Sequence, residues 1–310
     1  MAHGMHLAGK TILITGAGSG IGRLLALSAA QRGAQVIIWD RADSGQDVCD
    51  ELRAADHLAH FYRVDITNSD AVAAAAVRVL EDVGPVDILV NNAGVVSGRP
   101  LLELDAQAVR TTFEVNTLAL FWTTQAFLPA MIAQQRGLVV TVASAAGMVG
   151  VARQTDYSAS KFAAVGFTEA LRSELRAAKT GVQTLTVCPY YIHTGMFDGV
   201  KSRFPLLLPI MEPQPVVDRI LRAIETGKKQ LVLPPAVHMV KLARLLPVSA
   251  TDKILDILGL NKGMDAFTGR PGDRIENHSA VSSNHSAVTP NHSAVSINHH
   301  GSPQAEVPHD

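Results

Sequence analysis

The 310-residue sequence predicts an α/β fold, a doubly wound parallel sheet of seven strands with helices on both faces. Three observations point there. Short aliphatic and β-branched runs alternate with longer stretches of helical periodicity. The runs are apolar on both faces, as strands covered on both sides must be. A glycine-rich turn joins the first run to the first helical stretch, at the carboxyl end of a strand, where such sheets hold ligands.

In chain order the predicted strands are 11–15, 35–40, 61–64, 86–90, 138–142, 182–187 and 230–233. Helix-length segments lie between them at 21–32, 69–83, 106–134 and 157–178, and a further helix is predicted at 216–226. Between the last two strands Pro205, Pro209, Pro213 and Pro215 interrupt an apolar run, and a substrate lid is expected over about 195–226. One domain is expected over 1–260, followed by a helical C-terminal extension at 261–274. From 275 a polar tail is expected to be disordered: Asn-His-Ser-Ala-Val recurs at 277, 284 and 291, too polar for a coiled-coil seam.

Composition narrows the function. The net charge of −1 gives no field for nucleic acid. Two cysteines, Cys49 and Cys188, cannot build a disulfide framework. Residues 1–10 hold no apolar run of signal-peptide length, and no stretch approaches the roughly 20 apolar residues that span a bilayer. The expectation is a cytoplasmic protein. Residues 236–246, where Lys241 and Arg244 stand among aliphatic side chains, either lie on a membrane surface or pack against the domain or a partner. The three Asn-x-Ser patterns of the tail matter only in a secretory compartment, and its histidines are read as solvated, so no metal site is expected.

The turn Thr15-Gly16-Ala17-Gly18-Ser19-Gly20-Ile21-Gly22 lets backbone N–H groups approach a pyrophosphate at a helix N-terminus. Asp40 ends the second strand, 20 residues beyond Gly20, where a carboxylate can bond an adenosine ribose and repel a 2′-phosphate. No Arg or Lys in the loop offsets that repulsion, so NAD is favoured over NADP. This makes the domain Rossmann-type.

Further motifs follow in order: Asn91-Asn92-Ala93-Gly94 after the fourth strand, Asn116 in Glu-Val-Asn-Thr, Ser144 after the fifth strand, and Tyr157-Ser-Ala-Ser-Lys161 starting a helix 13 residues beyond Ser144. Over residues 10–235 this set resembles the short-chain dehydrogenase/reductase family. Cys188-Pro189-Tyr190-Tyr191-Ile192-His193-Thr194-Gly195-Met196-Phe197, Trp39-Asp40 and Met264-Asp265-Ala266-Phe267-Thr268-Gly269-Arg270 resemble its retinol and 17β-hydroxysteroid dehydrogenase branch.

The resemblance implies a catalytic set of Asn116, Ser144, Tyr157 and Lys161. It implies a cofactor set of Gly16, Ser19, Gly20, Ile21, Gly22, Asp40, Asp65, Asn92, Ala93, Gly94, Tyr157, Lys161, Pro189, Ile192 and Thr194. It also implies a small lipophilic substrate and a homo-dimer or homo-tetramer built on the two long helices. Asn116 would hold a water that links Lys161 to solvent.

The chemistry is consistent with these residue types. A free tyrosine, with a pKa of about 10, is a poor base at neutral pH. Lys161 stands four residues on and shares a helix face with Tyr157. Its charge, with that of an oxidised nicotinamide, would favour the phenolate; a drop of about three pH units needs about 4 kcal/mol. Ser144 would orient the substrate oxygen. Asn91 and Cys188 are read as structural, and His193 as a loop residue. The readings that stay open are an NAD-dependent alcohol dehydrogenase, an NAD(P)H-dependent carbonyl reductase of other substrates, and an NAD(H)-binding regulator without turnover.

Overall fold

The computed structural model describes residues 4–269; the heptapeptide repeat and its Asn-x-Ser patterns lie outside the described residues. Seven strands form one parallel sheet: β1 Thr11–Thr15, β2 Gln35–Asp40, β3 Ala59–Arg63, β4 Ile88–Asn91, β5 Gly137–Val142, β6 Val182–Pro189 and β7 Gln230–Leu233. Their order is β3-β2-β1-β4-β5-β6-β7. The chain reverses direction across the sheet between β1 and β4, and a crevice opens there at the carboxyl ends.

The helices are α1 Gly20–Gln31, α2 Ser44–Ala54, α3 Ser69–Asp82, α4 Ala106–Phe113, α5 Ala119–Ala133, α6 Thr155–Ala177, α7 Pro213–Glu225, α8 His238–Ala243 and α9 Val248–Ile257. Alternate strand residues feed two cores. Ile12, Ile14, Val36, Ile38, Val90 and Val140 pack with α1, α2 and α7. Leu13, Ile37, Trp39, Leu89 and Val139 pack with α3, α5 and α6. This two-sided burial is why the strands read as unbroken apolar runs.

Four features depart from the sequence-based expectation. The long helix at 106–134 is interrupted by a π-helical turn, Glu114–Leu118, which carries Asn116. Such a turn is set by local hydrogen bonding that hydrophobic periodicity does not register. The helix α2 was not predicted; it is polar and buries only Gly45, Val48, Cys49 and Leu52. The segment 195–226, expected as a lid, includes α7, whose Val216, Val217, Ile220 and Leu221 belong to the first core beside α1. The strong amphipathic pattern at 216–226 is a core-facing stripe. Finally, the expected C-terminal extension contributes a buried side chain: Met264 packs against Tyr191 and Val200, beyond Leu255 and Leu260, which pack with Val149 and Val237.

Candidate active site

The glycine loop is stitched to the loop after β4. Thr15 Oγ1 accepts from the backbone N–H groups of Asn92 (3.1 Å) and Ala93 (3.2 Å). Asn92 Nδ2 donates back to the Thr15 carbonyl at 3.0 Å and to the Gly16 carbonyl at 3.3 Å. Gly16 has φ of +67°, and a Cβ there would stand 2.9 Å from the Ala93 Cα. Only glycine gives both that conformation and that approach. Ser19 is the N-cap of α1, whose first turn contains no acidic residue, and the positive end of the helix faces the crevice. At the end of β2, Asp40 Oδ2 accepts from Gly18 N at 2.8 Å and Oδ1 from Ala42 N at 3.0 Å.

A cavity of about 530 Å³ runs from this loop across the carboxyl ends of the strands. Gly16, Ser19, Gly20, Ile21, Asp40, Asp65, Asn92, Ala93 and Gly94 line one end, and Pro189, Ile192 and Thr194 continue along it. Ser144, Tyr157 and Lys161 also reach the cavity. Two residues of the expected set stand behind its wall. Gly22 packs under the loop, where a Cβ would collide with the Gly16 carbonyl and Asn92 Nδ2. Asn116 is 1% exposed; its Nδ2 donates to the Val95 carbonyl (2.9 Å) and to Ser160 Oγ (3.0 Å), and its Oδ1 accepts from Val95 N (2.9 Å). An alanine Cβ placed at Gly94 would be 3.3 Å from both Asn116 Oδ1 and Lys161 Nζ, which shows how closely these groups converge.

Ser144 follows β5 and caps a short 3₁₀ turn, Ala145–Gly147, accepting from Ala146 N at 3.1 Å. Tyr157 and Lys161 stand one turn apart on α6, and both are buried. Lys161 Nζ donates to the Val142 carbonyl at 3.0 Å. Burial pushes the Tyr157 phenol up to about 12, and its hydrogen bond with Ser144 works in the opposite sense. Burial also pulls the Lys161 ammonium down to about 8, with Cys188 nearby acting the other way. Desolvation disfavours the charged form of each group. In the protein by itself, burial therefore outweighs the phenolate-favouring effect of Lys161 expected from the sequence. Cys188, read as an inert core residue, is fully buried near the end of β6.

The opposite end of the cavity is apolar, with Val149, Val151, Met196, Phe197, Leu208 and Leu260 in its wall. Phe197 meets the Tyr157 ring edge-on at 5.8 Å between centroids and the Tyr191 ring at 5.1 Å. Gln154 and Tyr191 form a buried polar pair in this wall, Gln154 Nε2 donating to Tyr191 Oη at 3.2 Å. Burial holds both Tyr190 and Tyr191 above the usual phenol range. Sequence reasoning named neither Gln154 nor Tyr191 as a pocket residue; the only signal was the Tyr-Tyr pair after Pro189. His193 lies on the exposed loop edge, 4.0 Å from Glu212.

The arrangement is that of a dinucleotide-dependent oxidoreductase, with a glycine-rich turn at a helix N-terminus, a carboxylate at the end of β2 and a hydroxyl–phenol–ammonium set within one crevice. Residues 10–203 match the model of the short chain dehydrogenase family, and the chain belongs to that family, oxidoreductases that act on CH–OH groups. It is 41% identical to epidermal retinol dehydrogenase 2 of Mus musculus over 269 residues, 86% of this chain and 87% of that protein. It is 38% identical to retinol dehydrogenase 10-B of Xenopus laevis, covering 88% of this chain and 89% of that one. Among solved structures, a short-chain dehydrogenase/reductase from Burkholderia phymatum in complex with NAD superposes with a TM-score of 0.71 at 29% identity, covering 78% of this chain and 94% of its own. A metagenomic short-chain oxidoreductase in complex with NADP superposes with a TM-score of 0.62 at 31% identity, covering 74% and 98%. The fold binds NAD(P), and the substrate is a small molecule.

Proposed function

We propose that this chain is an NAD-preferring dehydrogenase of lipophilic alcohols, of retinoid, steroid or long-chain kind. The observation that carries the reading is the single cavity whose polar end is built by the glycine loop, whose junction holds Ser144, Tyr157 and Lys161, and whose far end is apolar. The names of the relatives at 38–41% identity point the same way.

Gly16, Ser19, Gly20, Ile21, Asn92, Ala93 and Gly94 would hold the pyrophosphate and ribose, Gly22 would let α1 approach the loop, and Asp65 would meet the adenine. Asp40 would take the adenosine ribose; its two oxygens are already aimed by Gly18 N and Ala42 N, and its charge opposes a 2′-phosphate. Pro189, Ile192 and Thr194 would border the carboxamide. The nicotinamide, when bound, accepts the hydride in oxidation or gives it in reduction. Ser144 Oγ would hold the substrate oxygen, and Tyr157 Oη would exchange the proton with it. Lys161 would hold the nicotinamide ribose, and its buried charge would favour loss of the Tyr157 proton. Asn116, bonded to Val95 and Ser160, supports the loop and α6, and its carbonyl oxygen, which accepts one bond, would have a lone pair for a water.

Self-association through the α4–α5 and α6 faces is supported by exposed Leu118 and Phe121, the latter edge-on to Phe167. Peripheral contact with a lipid surface is supported by the exposed Leu206 and Leu245 on segments that flank the apolar end. Arg244 is tied down in that region, donating to the Met148 carbonyl at 2.9 Å. Among the described residues no helix is long and apolar enough to cross a membrane.

The test is reduced-nicotinamide formation by the purified protein with NAD and a panel of retinol, hydroxysteroids and long-chain alcohols. Higher kcat/KM on short polar alcohols than on decanol or retinol removes the lipophilic reading. No turnover with any alcohol, while NAD still binds, removes the dehydrogenase reading in favour of reduction of another carbonyl or of a regulator.

A further inference from the structure

We infer that Asp156, the residue before Tyr157, is a positioning residue that sets the rotation of α6 and so the direction of the Tyr157 and Lys161 side chains. The inference rests on the reading of Tyr157 as the acid–base group.

Asp156 is 4% exposed, yet it carries a carboxylate. Each of its oxygens accepts from a hydroxyl on a different segment. Ser97 Oγ donates to Oδ1 at 2.8 Å from the loop after β4, and Thr112 Oγ1 donates to Oδ2 at 2.8 Å from α4. Burying a carboxylate is expensive unless it is hydrogen-bonded. Its place in the first turn of α6 offsets part of that cost through the helix dipole.

The contacts form a ladder with a regular step. Thr112 and Asn116 are four residues apart, as are Asp156 and Ser160. One rung joins Thr112 to Asp156; the next joins Asn116 Nδ2 to Ser160 Oγ at 3.0 Å. The loop after β4 repeats the pattern, with Val95 bonded to Asn116 and Ser97 to Asp156. Two rungs one turn apart fix a helix against rotation about its axis, where one would act as a pivot. Tyr157 and Lys161 each follow a rung residue by one position. Their directions into the cavity are therefore set by the rungs beside them. The same loop carries Gly94, against which Lys161 Nζ and Asn116 Oδ1 converge.

The test compares Asp156→Ala and Asp156→Asn in the full chain, with the best alcohol of the panel (decan-1-ol or retinol) and NAD. Misplacing a reacting group by about 1 Å lowers turnover on the order of 100-fold. Asp156→Ala should lose about that much kcat, with KM for the alcohol changed less than about threefold. Asn can accept from one hydroxyl and donate to the other, so Asp156→Asn should recover most of kcat with an unaltered pH profile. A folded Asp156→Ala enzyme with wild-type kcat overturns the inference, as does an Asp156→Asn enzyme no better than the alanine variant, which would make the role electrostatic. If Asp156→Ala does not fold, Ser97→Ala and Thr112→Val are measured instead. Each should lower kcat with KM held, and their losses should be non-additive in the double variant. Unchanged or strictly additive kcat overturns the ladder.

Amide hydrogen exchange of segments 93–100 and 112–118 supplies a readout independent of substrate. Both should lose protection together in Asp156→Ala and keep it in Asp156→Asn. That result stands even if the wild-type chain oxidises none of the alcohols, in which case the proposed function fails and the ladder does not. Protection unchanged in Asp156→Ala overturns the inference irrespective of turnover.

Discussion

Lys161 Nζ lies 5.7 Å from the centroid of the Tyr157 ring, and it reaches back to the Val142 carbonyl instead of standing alone in the cavity. The ammonium is therefore anchored to the end of β5 before any ligand arrives, with the phenol within range of its charge. Both groups are buried, and each has its neutral form favoured.

Tyr157→Phe keeps the ring and its edge contact with Phe197 but removes the oxygen proposed to exchange a proton. Positioned acid–base groups contribute about 10²–10⁴ in rate. The variant is expected to lose kcat by that range while binding NADH with unchanged affinity, as read by fluorescence titration. A Tyr157→Phe enzyme within tenfold of wild type would exclude Tyr157 as the proton acceptor.

Lys161 also makes a prediction about stability. Its folded pKa of about 8 lies below the ordinary 10.5, so burial works against the charged form. Below about pH 8 the side chain is charged in both states, and the penalty is present in full, about 3 kcal/mol at about 1.36 kcal/mol per pH unit. Between pH 8 and 10.5 the unfolded chain binds more protons than the folded one, so this contribution to stability rises with pH. The Tyr157 contribution has the opposite sign. With a folded pKa of about 12, the phenol stays protonated in the folded chain while the unfolded one ionises, and stability falls between pH 10 and 12. Lys161→Met should therefore raise Tm at pH 7, by about 1–3 kcal/mol in stability after loss of the Val142 hydrogen bond, while abolishing turnover. The gain should shrink at pH 9.5. A lower Tm at pH 7 would show that the lysine is a net structural contributor.

The periodic parts of this molecule were legible in the sequence, and the parts set by tertiary contacts were not. Strands β1, β2 and β7 have the predicted bounds because apolar burial on both faces leaves a run that ends where the polar turn begins. Gly16, Asp40, Ser144 and Tyr157 could be located because a turn, a strand end or a helix start fixes where each must stand. Asn116 was found by motif, but the π-helical turn that carries it has no apolar signature. Gln154, Tyr191 and Asp156 were missed for a related reason. Their meaning comes from partners 37, 37 and 44–59 residues away, across elements whose packing the sequence does not print.

Asp40 sets the expected cofactor preference. Its two oxygens accept from Gly18 N and Ala42 N, so the carboxylate is fixed at the end of β2 beside the glycine turn, with Arg41 exposed next to it. Removing the charge relieves repulsion of a 2′-phosphate and removes an acceptor for a ribose hydroxyl; hydrogen bonds to charged groups are worth about 1.5–3 kcal/mol. Asp40→Asn should therefore lower kcat/KM for NAD about tenfold or more and raise it for NADP. The ratio of the two, measured with one alcohol, is the readout. A wild-type enzyme that already prefers NADP, or a ratio unmoved by the substitution, would assign cofactor choice to other residues.

Phe197 couples the loop after β6 to the proposed acid–base group. Its ring is edge-on to Tyr157 at 5.8 Å and to Tyr191 at 5.1 Å, and it forms part of the apolar wall. An aromatic pair contributes about 0.5–1.5 kcal/mol beyond the area it buries, and a buried phenylalanine side chain about 1.5–3 kcal/mol. Phe197→Ala should therefore raise KM for a long-chain alcohol at least tenfold, because a large part of that wall is lost to water. Phe197→Leu preserves the apolar volume and should hold KM within a few-fold while losing the edge contact with Tyr157. If the ring also restricts the Tyr157 rotamer, kcat will fall in both variants, whereas a purely lining role leaves kcat unchanged in Phe197→Leu. KM for decan-1-ol unaffected by Phe197→Ala would place the substrate elsewhere than this wall.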